Sequence, residues 1–219
     1  MSTLILQFFY EDKKLTLSKK ELYFKCMKTV KRYAKNVGYD YILEKKHFLP
    51  DWDPHWQIFK VFETEEYDEY DKIICIDADV FISNTNEKVF DKYNEFAACL
   101  EVDNDKITSR PEYGKWGRNY FNSGILVFTK DSIVEVRSNS PEKYREKYRH
   151  TIPGRDQMAL NAIADDVLGG YRKIDRSDAC FLRDFSENNA PVVHLAGRCR
   201  QKYFKDPKYW DAHFEVDKC

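Results

Sequence analysis

Two aspartates separated by one small residue, Asp77-Ala78-Asp79, follow directly on the apolar run Lys72-Ile73-Ile74-Cys75-Ile76. So unbroken a run suits a strand buried on both faces, central in its sheet. In open α/β sheets, ligands bind beyond the carboxyl ends of such strands. Residues two apart share a strand face, so Asp77 and Asp79 can both turn to one hard cation once the chain bends. Mn²⁺ and Mg²⁺ favour oxygen donors of this kind and can bridge a diphosphate. The plainer alternative has Asp79 opening a turn and Asp77 capping a neighbouring helix.

Three further segments carry polar chemistry. Tyr120-Phe121-Asn122-Ser123-Gly124 precedes an apolar run and joins two small polar side chains to a glycine, which lets a ligand or backbone approach closely. A plain turn before a strand is the alternative. Arg155-Asp156-Gln157 opens a helical pattern. Asp156 is there either as an N-terminal charge favoured by the helix dipole or as an acceptor for sugar hydroxyls. His194-Leu195-Ala196-Gly197 ends a short apolar strand, with Arg198, Arg200 and Lys202 behind it. The histidine is either a structural residue or, beside two aspartates, a third ligand through its neutral imidazole. The trailing cations suit a diphosphate, since a guanidinium grips phosphate oxygens in pairs.

The elements that must position these groups read as alternating strands and helices. Residues 3–9 (TLILQFF) suit a buried strand. Ser18 and Glu21 form a capping-box pattern, and behind it Leu22, Cys26, Val30, Tyr33 and Val37 recur on one helical face that ends at Gly38. Residues 39–43 read as a second strand, so the opening is strand, helix, strand, the order of a parallel unit with a right-handed crossover. Helices are predicted over 55–66, 84–93, 132–148 (broken at Pro141) and 156–165. Strands are predicted over 72–76, 96–100, 124–129 and 192–194. Residues 102–118 are polar and punctuated by Gly and Pro, a length of loop usually reserved for function. The expected fold is α/β: a single Rossmann-like domain spanning 1–219, a central mixed but mostly parallel sheet flanked by helices. It could also be the N-terminal part of a longer polypeptide.

Composition narrows the function classes. Net charge is −1 over 219 residues, with 42% hydrophobic and 33% charged, so no global field favours nucleic acid or membrane, and an anionic ligand must be held by local charges. The 15 Phe, 15 Tyr and 4 Trp fill a core and can also form stacking walls for bases and sugars. Six cysteines, none at a CxxC spacing, argue against a zinc ribbon or thioredoxin-type site and for buried free thiols in a reducing, cytoplasmic setting. The start lacks the regions of a signal peptide, and no apolar run approaches the roughly 18 residues of a spanning helix. Neither nucleic-acid binding nor membrane insertion is expected.

Taken in order, Asp77-Ala78-Asp79, Phe121-Asn122-Ser123-Gly124, Asp156-Gln157 and His194-Leu195-Ala196-Gly197 resemble the motif series of GT-A-fold glycosyltransferases. The likeness is to the glycogenin and galactosyltransferase group (family 8) and to the plant xylosyltransferases (family 34). It covers about residues 3–204. The small size and the run Asp53-Pro54-His55-Trp56-Gln57-Ile58-Phe59-Lys60 are also similar to a viral glycosyltransferase domain serving capsid glycans, which would imply a host cytosol.

The resemblance implies roles. Asp77, Asp79 and His194 would hold Mn²⁺ (or Mg²⁺), with Asp77 and Ala78 near the donor ribose. Gln7, Phe8, Phe9 and Tyr10 would frame the uracil of a UDP-sugar. Lys60 would match a basic residue near nucleotide and sugar. Asn122, Ser123, Asp156 and Gln157 would line the sugar pocket. Gly197, Arg200 and Lys202 would meet the leaving diphosphate. Where the family has Lys-Pro-Trp this chain has Arg200-Gln201-Lys202, so either cation is a candidate. The implied activity moves a hexose from UDP-glucose, UDP-galactose or UDP-rhamnose to a glycan or glycoprotein. Inversion would need a carboxylate base, with Asp156, Glu101 and Asp103 as candidates. A nucleotide-sugar hydrolase or nucleotidyltransferase would also pair carboxylates, but no GxxxxGK[ST] is present. A non-catalytic carbohydrate-binding module would use Trp52, Trp56, Trp116 and Trp210 as platforms.

Overall fold

The computed structural model describes residues 1–10, 15–83, 85–101, 119–150, 155–182 and 189–196. Strand β1 (Thr3–Phe8), helix α1 (Leu17–Val37) and strand β2 (Asp40–Glu44) form the expected opening unit, with β1 and β2 parallel. Helix α1 buries Leu22, Cys26, Val30, Tyr33 and Val37, the stripe read from the sequence, and Gly38 closes it at φ 75° in the left-handed region. The capping box at Ser18 is corrected. The helix begins earlier, and the Thr16 hydroxyl accepts from Lys19 N at 3.4 Å.

Residues 55–66, expected as one helix, divide. A 3₁₀ helix runs Pro54–Phe59, opened by Pro54 in its first turn and capped by Asp53. It passes into a single α turn, α2 (Lys60–Glu63). Strand β3 (Lys72–Ile76) is buried along its whole length. It lies inside the sheet, parallel to β1 and antiparallel to β6 (Phe121–Thr129). A short strand β4 (Val80–Ile82) follows the two aspartates. The expected helix near 84–93 is absent among the described residues: 89–92 form turns instead. The apolar residues there, Val89, Phe90 and Tyr93, are buried as a loop packed against the core.

Strand β5 (Ala97–Leu100) pairs with β6, which starts three residues before the predicted strand. Helices α3 (Lys130–Ser138) and α4 (Pro141–Tyr148) are the two pieces split at Pro141, and α5 (Arg155–Asp166) follows. Strands β7 (Arg172–Lys173), β8 (Ala179–Phe181) and β9 (Val192–His194) complete the described elements.

The main sheet has the order β2-β1-β3-β6-β5-β7. Only β6 runs against its neighbours, so the sheet is mixed and mostly parallel. A second sheet, β4-β9-β8, takes up the chain beyond Asp79. One apolar cluster unites Trp56, Phe59, Phe62 and Phe128 with α5. Another joins α1 to Ile74, Ile76 and Phe90. The described cysteines, Cys26, Cys75, Cys99 and Cys180, are free and buried as expected. Cys199 and Cys219 lie outside the described residues. Inside the core, Lys72 is fully buried, and its ammonium donates to Phe90 O at 3.0 Å and Asp91 O at 3.1 Å. These carbonyls hold the loop that replaced the expected helix.

The cap assignment has a direct test. Thr16→Ala is expected to lower stability by about 1 kcal/mol, while Ser18→Ala leaves it nearly unchanged, as read by chemical denaturation. The opposite ranking would restore the Ser18 cap.

Candidate functional site

Strand β3 delivers the two aspartates to the sheet's carboxyl edge, and three hydrogen bonds bend the chain there. Asp77 N donates to Gly124 O at 2.8 Å, and Val80 N donates to Asp77 O at 3.1 Å. The fully buried Gln7 donates from its amide to Asp77 O at 3.1 Å and accepts from Tyr41 OH at 2.8 Å. Gln7 therefore fixes the turn from beneath. Its side chain is committed to the protein and stands behind the cleft.

Strand β9 brings the histidine. It pairs antiparallel with β4 so that His194 lies opposite Val80, one residue from Asp79. Leu195 N also donates to Asp79 O at 3.1 Å. As a result His194 Nε2 lies 3.4 Å from Asp79 Oδ1 and 3.7 Å from Asp77 Oδ2. One ligand atom from each of the three residues falls within 4.8 Å of the others. Asp79 and His194 are buried, whereas Asp77 is exposed toward the cleft. Two carboxylates and an imidazole at this separation fit a divalent cation that accepts mixed oxygen and nitrogen donors.

Gly124 makes room for that arrangement. A Cβ at this position would lie 2.2 Å from His194 Cε1 and 2.8 Å from Nε2. The imidazole thus rests directly on the bare backbone of β6, and Phe181 stacks at 5.5 Å from it. Glycine is needed here for space. The sequence reading gave this glycine the general role of close approach, but could not name the approaching group.

The neighbouring polar residues form a second, connected group. Phe121-Asn122-Ser123 is the first part of strand β6, which corrects the reading of a turn before a strand. The Asn122 amide donates to Glu101 Oε2 at 2.9 Å and to Gln157 Oε1 at 3.1 Å, and its own Oδ1 accepts from Gly124 N at 2.9 Å. Gln157 Oε1 also accepts from Ser123 N at 3.3 Å. One turn further along α5, Asn161 accepts from Phe121 N and donates to Phe121 O, both at 3.0 Å. It thus imitates a strand partner and clamps α5 to β6. Asn161 went unnoticed in the sequence, although a lone amide four residues after Gln157 in the apolar stretch MALNAIA was its signal. Glu101, a candidate base, is engaged with Asn122 and Gln157; Asp103 lies outside the described residues.

Asp156 is buried in the first turn of α5, where the helix dipole favours a negative charge. Loss of solvent is the main cause that pushes its carboxyl up to about 6. His55 opposes the shift, Asp77 adds to it, and a hydrogen bond with Ser123 opposes it. His55 was not singled out in the sequence. It is placed on the cleft wall by the Asp53 cap, which accepts from His55 N at 3.3 Å.

These residues surround a cavity of about 280 Å³. Phe8, Phe9, Tyr10 and Tyr23 form one wall, Pro54, His55 and Ile58 another, and Asp77, Asp79, Ser123 and Asp156 the floor. Lys60 is absent from this lining. Its ammonium pairs with Glu44 at 3.0 Å and Glu66 at 2.8 Å, and it lies over the Tyr67 ring. To reach a nucleotide it would have to leave both partners. Gly197, Arg200 and Lys202 lie outside the described residues.

The Asp156 shift has a signed consequence. Its folded pKa, about 6, exceeds the ordinary 3.8, so folding favours the neutral acid. Stability from this group is present at low pH and lost as pH rises from about 4 to about 6. Above that window the ionised carboxylate costs up to roughly 3 kcal/mol. Without added divalent cation, Asp156→Asn is expected to raise the melting temperature relative to the parent at pH 7 and to show little gain at pH 4. A gain that shrinks with rising pH would refute this account.

No family model matches the chain, and no curated protein matches it in sequence. Solved structures do match. A glycosyltransferase involved in glycosylation of the major capsid of PBCV-1 overlays with a TM-score of 0.65 at 18% identity, covering 98% of this chain and 100% of that one. The galactosyltransferase LgtC, solved with donor and acceptor sugar analogues, gives 0.56 at 13% identity, covering 96% and 99%. The glycosyltransferase GlyE of Streptococcus pneumoniae TIGR4 gives 0.55 at 15% identity, covering 90% of this chain and 55% of that one. The common ground at such low identity is architecture, and on that ground the chain has the GT-A glycosyltransferase fold.

Proposed function

We propose that this protein is a metal-dependent glycosyltransferase that moves a hexose from a UDP-sugar to a glycan or glycoprotein acceptor. The observation that carries this reading is the convergence of Asp77, Asp79 and His194 on one edge of a cleft whose floor also holds Asp156. The overlays with glycosyltransferases along almost the whole chain support it.

Asp77, Asp79 and His194 would hold a divalent cation, Mn²⁺ or Mg²⁺. When bound, such a cation offsets the negative charge that develops on a departing diphosphate. The chain's own residues then divide the remaining tasks. The aromatic wall of Phe8, Phe9 and Tyr10 packs the flat base. Asp156 and Ser123 face the cleft and accept or donate bonds to sugar hydroxyls, with Asn122 and Gln157 holding Ser123 in place. Gly197 with Arg200 or Lys202 would approach the diphosphate from the segment that follows His194.

A carbohydrate-binding module has less support. Trp56 is buried, and the Trp52 ring is covered by the guanidinium groups of Arg145 at 4.5 Å and Arg149 at 4.2 Å. Trp116 and Trp210 lie outside the described residues.

Calorimetry with UDP, GDP and CMP, each with and without Mn²⁺, is expected to show binding that is strongest for UDP and requires the cation. Equal affinity for all three would remove the UDP assignment. Asp77→Asn is expected to abolish cation-dependent donor binding and turnover; normal activity with Mn²⁺ would sink the proposal. Gly124→Ala forces the imidazole off its seat and is expected to weaken Mn²⁺ affinity about 10–100-fold, the effect of misorienting a ligand.

A further inference from the structure

Helix α1 carries seven basic residues, Lys19, Lys20, Lys25, Lys28, Lys31, Arg32 and Lys35, against one acidic residue, Glu21. The chain as a whole is nearly neutral, with a net charge of −1, so this charge is concentrated in one place. The helix's inward face is taken by Leu22, Cys26, Val30, Tyr33 and Val37. Positions 24, 28, 31 and 35 follow one another at steps of four, three and four, and therefore share the opposite face. Phe24, Lys28, Lys31 and Lys35 are all exposed there.

Solvation accounts for the lysines of such a face, but not for the apolar side chains among them. Leu17 is 86% exposed and Phe24 47%. Leu17 lies seven residues before Phe24, on the same stripe. Phe24 also packs on Phe9 at 5.5 Å, and Phe9 and Tyr23 line the cleft. The stripe therefore starts at the rim of the cleft and runs away from it along the helix.

We propose that the outer face of α1 docks this protein on an anionic lipid bilayer, with Lys28, Lys31 and Lys35 against the headgroups and Leu17 and Phe24 in the interfacial layer. Lysines on one side of a helix draw it to negatively charged lipid, and apolar side chains beside them add burial at the headgroup boundary. A phosphate backbone would reward the cations alone, so the two apolar residues favour a bilayer over nucleic acid. Docked this way, the helix that lies on the bilayer is one that also contributes Tyr23 to the cleft lining. The attachment is peripheral, in keeping with the absence, among the described residues, of a helix long and apolar enough to span. It holds whether or not the cleft transfers a sugar.

The test is co-sedimentation of the whole protein with phosphatidylcholine vesicles, with and without phosphatidylserine, at low and raised salt. Binding is expected only with phosphatidylserine and is expected to fall with salt. Replacing Lys28, Lys31 and Lys35 together by Ala is expected to weaken it roughly 100-fold, at about fivefold per lysine. Leu17→Ser, at a side chain too exposed to disturb the core, is expected to weaken it several-fold with an unchanged melting temperature. UDP binding in the triple variant is expected to match the parent, which separates loss of docking from loss of the cleft. Binding that ignores phosphatidylserine, survives the triple substitution, or is matched by duplex DNA at the same salt would overturn the proposal.

Discussion

The imidazole of His194 occupies the space that a side chain at position 124 would fill. Everything else at the site is arranged around that contact. Because Gly124 has no Cβ, β6 can lie against the ring, and the ring's Nε2 can approach Asp77 to 3.7 Å and Asp79 to 3.4 Å. The same glycine carbonyl accepts from Asp77 N and so fixes the bend that separates the two carboxylates from the end of β3. One residue thus couples the main sheet, the second sheet and the acidic turn, and a larger side chain would disturb all three together.

Charge is the second constraint. Asp77, Asp79 and Asp156 share one small cavity, and burial pushes the Asp156 carboxyl up to about 6. A fold selected only for stability would place a neutral side chain there. A buried carboxylate with a raised pKa in a cleft is a pattern common at functional sites. On the proposed reading, a cation at the Asp77/Asp79/His194 corner relieves part of this repulsion, and the sugar's hydroxyls satisfy Asp156.

Much of the architecture was legible from local pattern. The period of Leu22, Cys26, Val30, Tyr33 and Val37 marked α1, the unbroken apolar run marked β3 as central, and Pro141 marked the start of α4. The misreadings came where a local pattern had two solutions. Ser18 and Glu21 match a capping box, but Thr16 reached the helix first. The stretch 84–93 is apolar enough for a helix, yet its backbone carbonyls are drawn to the buried ammonium of Lys72 from β3. Lys60 looked available because Glu44 and Glu66 lie far from obvious in the sequence. Tertiary packing made them its partners.

By itself, the sequence determined which residue types could bind a cation and in what order the strands and helices would come, because those depend on side-chain chemistry and short-range period. It did not determine that His194 meets Asp79. The two are separated by more than half the chain, and their meeting depends on β9 pairing with β4 in one register. Nor could it say that Gln7 would turn inward to hold Asp77, or that Asn161 would take a strand's place beside Phe121. Those outcomes follow from the burial of polar groups, which must find partners wherever the fold brings them, and only the folded chain settles which partners are near.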